Sequence, residues 1–184
     1  MPKFSIQIWN GWWFTLIYLF IFLCIPFLRE GAFKRLFTPA NPYKTFWETV
    51  NYNISLVAWI GSVFCPVFIP VNTGTIYFYI GIFIYVIGMV LFIIALYNYV
   101  TAPLDQPIIK GLYYFSRNPI YVTYDIMWYG VGFTVGSWLL IIIHTIEAIT
   151  CHFLILEEER FCLKKYGRDY QDYMDKVPRY IRLW

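Results

Sequence analysis

The sequence predicts an all-α integral membrane bundle of about five transmembrane helices, and three observations predict it. Sixty per cent of the 184 residues are hydrophobic and only 14% are charged, whereas a soluble domain is typically about one quarter charged. Residues 12–28 and 76–100 carry no charge at all, and each run is long enough to cross a hydrocarbon core of roughly 30 Å. The period-2 alternation of an outer-membrane barrel is absent, and helices satisfy every backbone group within their own segment, as lipid requires.

In chain order the expected spans are 7–28, 52–70, 76–99, 119–134 and 137–157. The first lacks a charged n-region and an A-x-A-like cleavage site, so it reads as an uncleaved span. The second and third are apolar scaffold. The fourth and fifth are joined only by a short Gly-Phe-Thr-Val-Gly-Ser turn and read as a helical hairpin. A tail follows, in which the fifth helix continues to about Tyr166. Gly167 stands at a C-cap position, Asp169 is placed to cap a short further helix to Lys176, and Pro178 stops it. The mixed charges of this tail suit a segment lying on anionic headgroups. Segments 29–51, 100–118 and 158–184 hold every lysine and arginine except Lys3. By the positive-inside rule those segments are cytoplasmic and the N-terminus is outside. Cys24, Cys65, Cys151 and Cys162 show no metal-ligand spacing and imply no disulfide framework.

The second half differs from the first in placing Asp125, His144, Glu147 and His152 at membrane depth. Ionisable groups there cost at least a few kcal/mol each and are functional or paired by default. The two histidines lie about 80° apart around the helix, so a shared metal site is not expected. No internal repeat or nucleotide-binding glycine loop is present.

Two stretches carry chemistry. In "GLYYFSRNPIY", Asn118 is a favoured N-cap and Pro119 a favoured first helical residue. The exposed amides of that helix start form an anion site, with Arg117 adding charge; an interfacial arginine beside a capped helix is the plainer alternative. In "LEEERFCLKKYGRDY", Glu157, Glu158 and Glu159 oppose the helix dipole. A positive group is therefore expected nearby, either Arg160 with Lys164 and Lys165 or a bound cation. Glu147, Cys151 and Glu158 fall within about 40° of one helical face, with His144 beside them. Between the two stretches stand Tyr113, Tyr114, Tyr121, Tyr124 and Trp128. An amino-acid-bearing sulfonium suits this layout, because aromatic faces attract cations.

"IIKGLYYFSRNPIY", followed some forty residues later by "LEEERFCLKKYGRDYQDYMDKVPR", resembles the isoprenylcysteine carboxyl methyltransferase and phospholipid methyltransferase family of integral membrane enzymes. The resemblance implies S-adenosyl-L-methionine as cofactor. Carried onto this chain, it implies contacts from Gln106, Pro107 and Ile108, from Tyr113 along the cofactor, and from Asn118, Pro119, Ile120 and Tyr121 at the helix lip, with Glu158 holding the ammonium. It divides the chain into scaffold helices over residues 1–100 and a cofactor-binding part over 101–184. Carboxyl-methylating members commonly have histidine where this chain has Asn118, and an arginine where it has Leu154. Both departures favour an amine or another neutral nucleophile over a carboxylate. The expected partners are a lipophilic small molecule and membrane lipid, with no nucleic acid and no metal.

The expected chemistry is in-line methyl transfer, in which alignment and a dry pocket do most of the work. An amine acceptor must lose a proton, and Glu147, Glu157 and Asp125 are the candidates to take it. Two other readings stand beside this one. "KKYGRDYQDYMDKVPRYI" also resembles the C-terminus of NADPH-dependent sterol reductases, and Asp125, His144 and Glu147 would suit an ion path in a membrane scaffold or transporter.

Overall fold

The computed structural model describes residues 10–37, 45–103 and 106–181, which form helices joined by turns and loops, with no extended strand among them. Lys3 and the first three residues of the expected 7–28 span lie outside that set. The helices are α1 (Trp12–Cys24), α2 (Ala32–Phe37), α3 (Phe46–Phe64), α4 (Ile76–Val100), α5 (Pro119–Thr134), α6 (Trp138–Tyr166) and α7 (Arg168–Lys176). Among the described residues, three segments are long and apolar enough to cross a membrane: Phe46–Phe68, Ile76–Val100 and Trp138–Tyr166. Trp12–Leu28 is apolar but shorter, and α5 has only 16 residues.

Local chemistry sets the ends of these helices. Both α1 and α3 tighten into a single 3₁₀ turn at a proline, Pro26 and Pro66, because proline cannot continue the α-helical bonding pattern. The start of α3 lies ahead of the expected residue 52, since Thr45 and Glu48 form a capping box. The Glu48 amide donates to Thr45 Oγ1 at 3.3 Å, and the Thr45 amide donates to Glu48 Oε2 at 2.8 Å. Gly167 takes φ +57°, a conformation that favours glycine, and so separates α6 from α7. Asp169 lies in the first turn of α7 without capping it.

The short turn between α5 and α6 forms as expected, but the closest neighbour of α5 is α4, and that of α6 is α3. Glycines explain the first pairing. A Cβ on Gly88 would lie 2.5 Å from the Met127 backbone nitrogen, and one on Gly130 would lie 2.4 Å from that of Tyr85. Small residues let two backbones approach where lipid offers no hydrophobic drive between helices. Tyr18, Phe92, Leu96, Met127, Trp128 and Leu140 form the buried centre of the bundle. Large apolar side chains such as Phe20, Val57, Phe83 and Ile149 face outward, as a lipid-solvated surface allows.

The tail does not lie apart on a surface. Tyr170, Tyr173 and Val177 are buried together against Cys162, Tyr166 and Met174. The Tyr173 hydroxyl donates to the Tyr113 carbonyl at 2.7 Å, and the Arg117 amide donates to the Pro178 carbonyl at 3.0 Å. These bonds draw α7 back onto the junction that precedes α5.

Candidate functional site

Three short contacts join the start of α5 to the acidic end of α6. Arg117 Nε donates to Glu159 Oε1 at 3.0 Å, Asn118 Nδ2 to the same oxygen at 3.0 Å, and the Tyr121 hydroxyl to Glu158 Oε1 at 2.9 Å. Arg179, from beyond α7, also pairs with Glu159 at 2.9 Å. Glu159, one of the three glutamates opposing the helix dipole, therefore receives its cations from outside its own helix. Arg160, the sequence-adjacent candidate, instead pairs with Glu48 of α3 at 2.9 Å. The bond to Glu159 holds the Arg179 guanidinium above its ordinary value, and burial pushes the hydroxyls of Tyr170 and Tyr173 up in the same way.

Two expectations change in detail. Arg117 also donates to the carbonyls of Met174 and Val177, so its guanidinium is committed to holding the tail and the acidic cluster rather than to an anionic ligand. Asn118 occupies the N-cap position of α5, but its side chain makes no capping bond. Its amide group points instead to Glu159 and to the Arg179 carbonyl. The N-cap side chain therefore does not satisfy the amides of the first turn of α5.

A cavity of about 690 Å³ opens beside this junction, within the roughly 300–1,000 Å³ usual for small-molecule sites. It is lined by Gln106, Pro107, Ile108, Tyr113, Arg117, Asn118, Ile120, Tyr121, Glu147 and Glu158 from the residues that the sequence singled out. Pro119, Glu157 and Asp125 do not line it. Pro119 and Glu157 are buried in their own helices. Asp125 lies behind His144, whose Nε2 is 3.4 Å from its carboxylate.

Sequence reasoning missed the walls supplied by the first three spans and by the tail. Tyr18, Ser55, Trp59 and Phe92 come from α1, α3 and α4, and Tyr170 and Tyr173 from α7. Apolar and aromatic residues in a membrane helix carry no signal that separates a cavity wall from a lipid-facing side chain. The tail had a weak signal: tyrosines at 170 and 173 fall on one face of a short helix.

At the inner end of the cavity stands Glu147, which is 2% exposed. Its Oε2 accepts from the Tyr124 hydroxyl at 3.4 Å and meets His144 Nδ1 at 3.1 Å. Cys151 and Ser55 touch at 3.4 Å nearby. Three carboxylates thus line the cavity: Glu158 and Glu159 beside the helix start, and Glu147 among aromatic side chains. His152 lies apart from this cluster and bonds Tyr180 of the tail. No group of metal-binding side chains occurs among the described residues.

A family model described as phospholipid methyltransferase matches residues 70–169 of the chain, and no curated protein matches it. The matched segment is more than half of the chain. It contains the helix-start junction, Glu147 and the three consecutive glutamates, but neither α1 nor the residues of the tail from Tyr170 onward.

Proposed function

The chain belongs to the phospholipid methyltransferase family, and from that premise we propose that it is an integral membrane methyltransferase that uses S-adenosyl-L-methionine to methylate a lipophilic amine. The observation that carries this reading is one cavity lined by both Glu158 and Glu147, beside a helix start whose N-cap side chain makes no capping bond. The donor set fits the methyl donor. Glu158 would take its ammonium, the first-turn amides at Ile120 and Tyr121 its carboxylate, and Gln106, Pro107, Ile108 and Tyr113 would lie along it. Arg117 and Asn118 would act by fixing that lip through Glu159.

When bound, the donor would supply an electrophilic methyl group for the acceptor nitrogen, its sulfur keeping the electron pair of the carbon–sulfur bond. The residues of this chain align the two reactants and exclude water. Glu147 takes the proton that the amine must lose. Tyr18, Trp59 and Tyr124 surround this end of the cavity, and such rings suit a nitrogen that stays cationic after methylation. Residues 1–100 serve as scaffold, contributing those walls, and 101–184 as the cofactor-binding part. The bundle crosses the membrane five times, with the N-terminus outside and the tail and cofactor mouth cytoplasmic. The family match favours methyl transfer over the reductase and transporter readings.

Two measurements test the proposal. Incubation of the purified protein with labelled S-adenosylmethionine and a total lipid extract is expected to label an amine-bearing lipid. In calorimetry, Glu158→Gln is expected to weaken S-adenosylmethionine binding about 10- to 100-fold, the equivalent of about 1.5–3 kcal/mol for a hydrogen bond to a charged group. Unchanged binding, or no labelled lipid, overturns it.

A further inference from the structure

Glu147, once protonated, has no evident route of its own back to water, because it is almost fully buried at the inner end of the cavity. Next to it stands His144, which is 0% exposed. His144 Nδ1 lies 3.1 Å from Glu147 Oε2, and Nε2 lies 3.4 Å from Asp125 Oδ1. The second contact is at ion-pair distance without hydrogen-bond geometry, so Nε2 has no other partner among the described residues. The other polar groups facing the imidazole are Tyr124, with ring centroids 5.7 Å apart, and Tyr129, at 4.6 Å. No lysine or arginine is among these neighbours.

Asp125 differs from both neighbours in being 37% exposed. It lies about 10 Å along α5 from Asn118 at 1.5 Å per residue. Burial pushes the Tyr180 hydroxyl above its ordinary value, Arg179 pulls it down, and the Asp125 charge adds to the rise. One carboxylate therefore faces the cavity, the other faces out of it, and a single imidazole joins them.

We propose that Glu147, His144 and Asp125 form a proton relay that carries the proton released by the acceptor amine out of the cavity, through the imidazole, to Asp125. The inference rests on the amine-methylation reading above. An alkylammonium has a pKa near that of lysine, about 10.4, so it arrives protonated, with no lone pair for attack. One N–H bond of the ammonium breaks as an O–H bond forms on Glu147. Glu147 then passes that proton to His144 Nδ1 while the Nε2 proton moves to Asp125, whose partly exposed carboxylate hands it on outside the cavity. Rotation of the ring then lets Nδ1 lose its proton on the Asp125 side as Nε2 takes one up there, which restores the starting tautomer and leaves one proton exported per cycle. Each methyl transferred to an amine yields one such proton, and without an exit Glu147 would serve once. A structural ion cluster alone would not need a partly exposed third member, and ionisable groups at this depth are retained for function or pairing. His144 and Asp125 act through Glu147 and do not touch the acceptor.

The test uses the full chain in lipid nanodiscs, with labelled methyl donor and the amine lipid that the wild type methylates. Asp125→Asn and His144→Gln are each expected to lower kcat about 10²-fold, with KM and S-adenosylmethionine binding unchanged. Asp125→Asn should also acquire a solvent deuterium isotope effect on kcat that the wild type lacks, and Asp125→Glu should restore most of the rate. His152→Gln, outside the cluster, should match the wild type. A readout without turnover is available in the infrared. Dodecylamine added without methyl donor should produce a protonated-carboxyl band that Glu147→Gln abolishes, whereas dodecyltrimethylammonium, with no proton to give, should not. If the wild type methylates no amine, the amine reading falls and the relay with it. If the wild type does so and Asp125→Asn, being partly exposed and able to fold, matches it in rate and isotope effect, the relay alone is wrong. Absence of the carboxyl band likewise overturns it.

Discussion

Glu159 illustrates how one residue can be essential to a site it need not serve chemically. Its side chain is 4% exposed and meets Arg117, Asn118 and Arg179. Removing one member of a buried ion-pair network leaves the others uncompensated, which typically costs about 3–5 kcal/mol. Glu159→Gln is therefore expected to lower the unfolding midpoint strongly in detergent or nanodiscs, through the stranded Arg117. Arg160→Ala breaks only the exposed pair with Glu48 and should change stability by less than about 1 kcal/mol. Equal effects of the two substitutions would contradict the assignment of partners. From sequence the two adjacent residues look alike as members of one charge run. Which of them is buried depends on a helical face that only its neighbours define.

At the scale of elements, the decisive contact is the glycine seam between α4 and α5. The α5 start carries Asn118, Ile120 and Tyr121, so the fit of α5 against α4 positions the lip of the cavity. Gly88→Ala would put a methyl group against the Met127 backbone, which cannot move as a flexible side chain would. We expect a loss of about 1–3 kcal/mol from overpacking, seen as a lower thermal midpoint. Weaker S-adenosylmethionine binding should accompany it, although Gly88 lines no part of the site. Gly74→Ala, in an open turn where an added methyl meets only Asn72, is the matched control. The tail belongs to the same scale. Its helix is too short to be stable alone, and it is held by Tyr173, Arg117 and the buried cluster around Tyr170.

For the whole molecule, the proposed topology makes a concrete demand. Asn72 lies in an exposed turn before α4 and Asp175 on the exposed face of α7. Single Asn72→Cys and Asp175→Cys variants in sealed vesicles, with the four native cysteines replaced, should react with an impermeant reagent from opposite sides. Reaction from the same side would break the five-span arrangement. The sequence by itself determined the helical membrane class and the helix ends at Asn118-Pro119 and Gly167, because hydropathy and the residue preferences of helix ends are local properties. The capping box at Thr45 and Glu48 was equally legible there. Only the tertiary structure decided that Arg117 and Arg179 rather than Arg160 neutralise Glu159, that Asp125 stands behind His144 instead of in the cavity, and that α7 closes one of its walls. Those outcomes depend on which helices approach closely enough to share a side chain, and in lipid that is settled by shape at glycine seams and by long-range polar bonds, which no short stretch of sequence encodes.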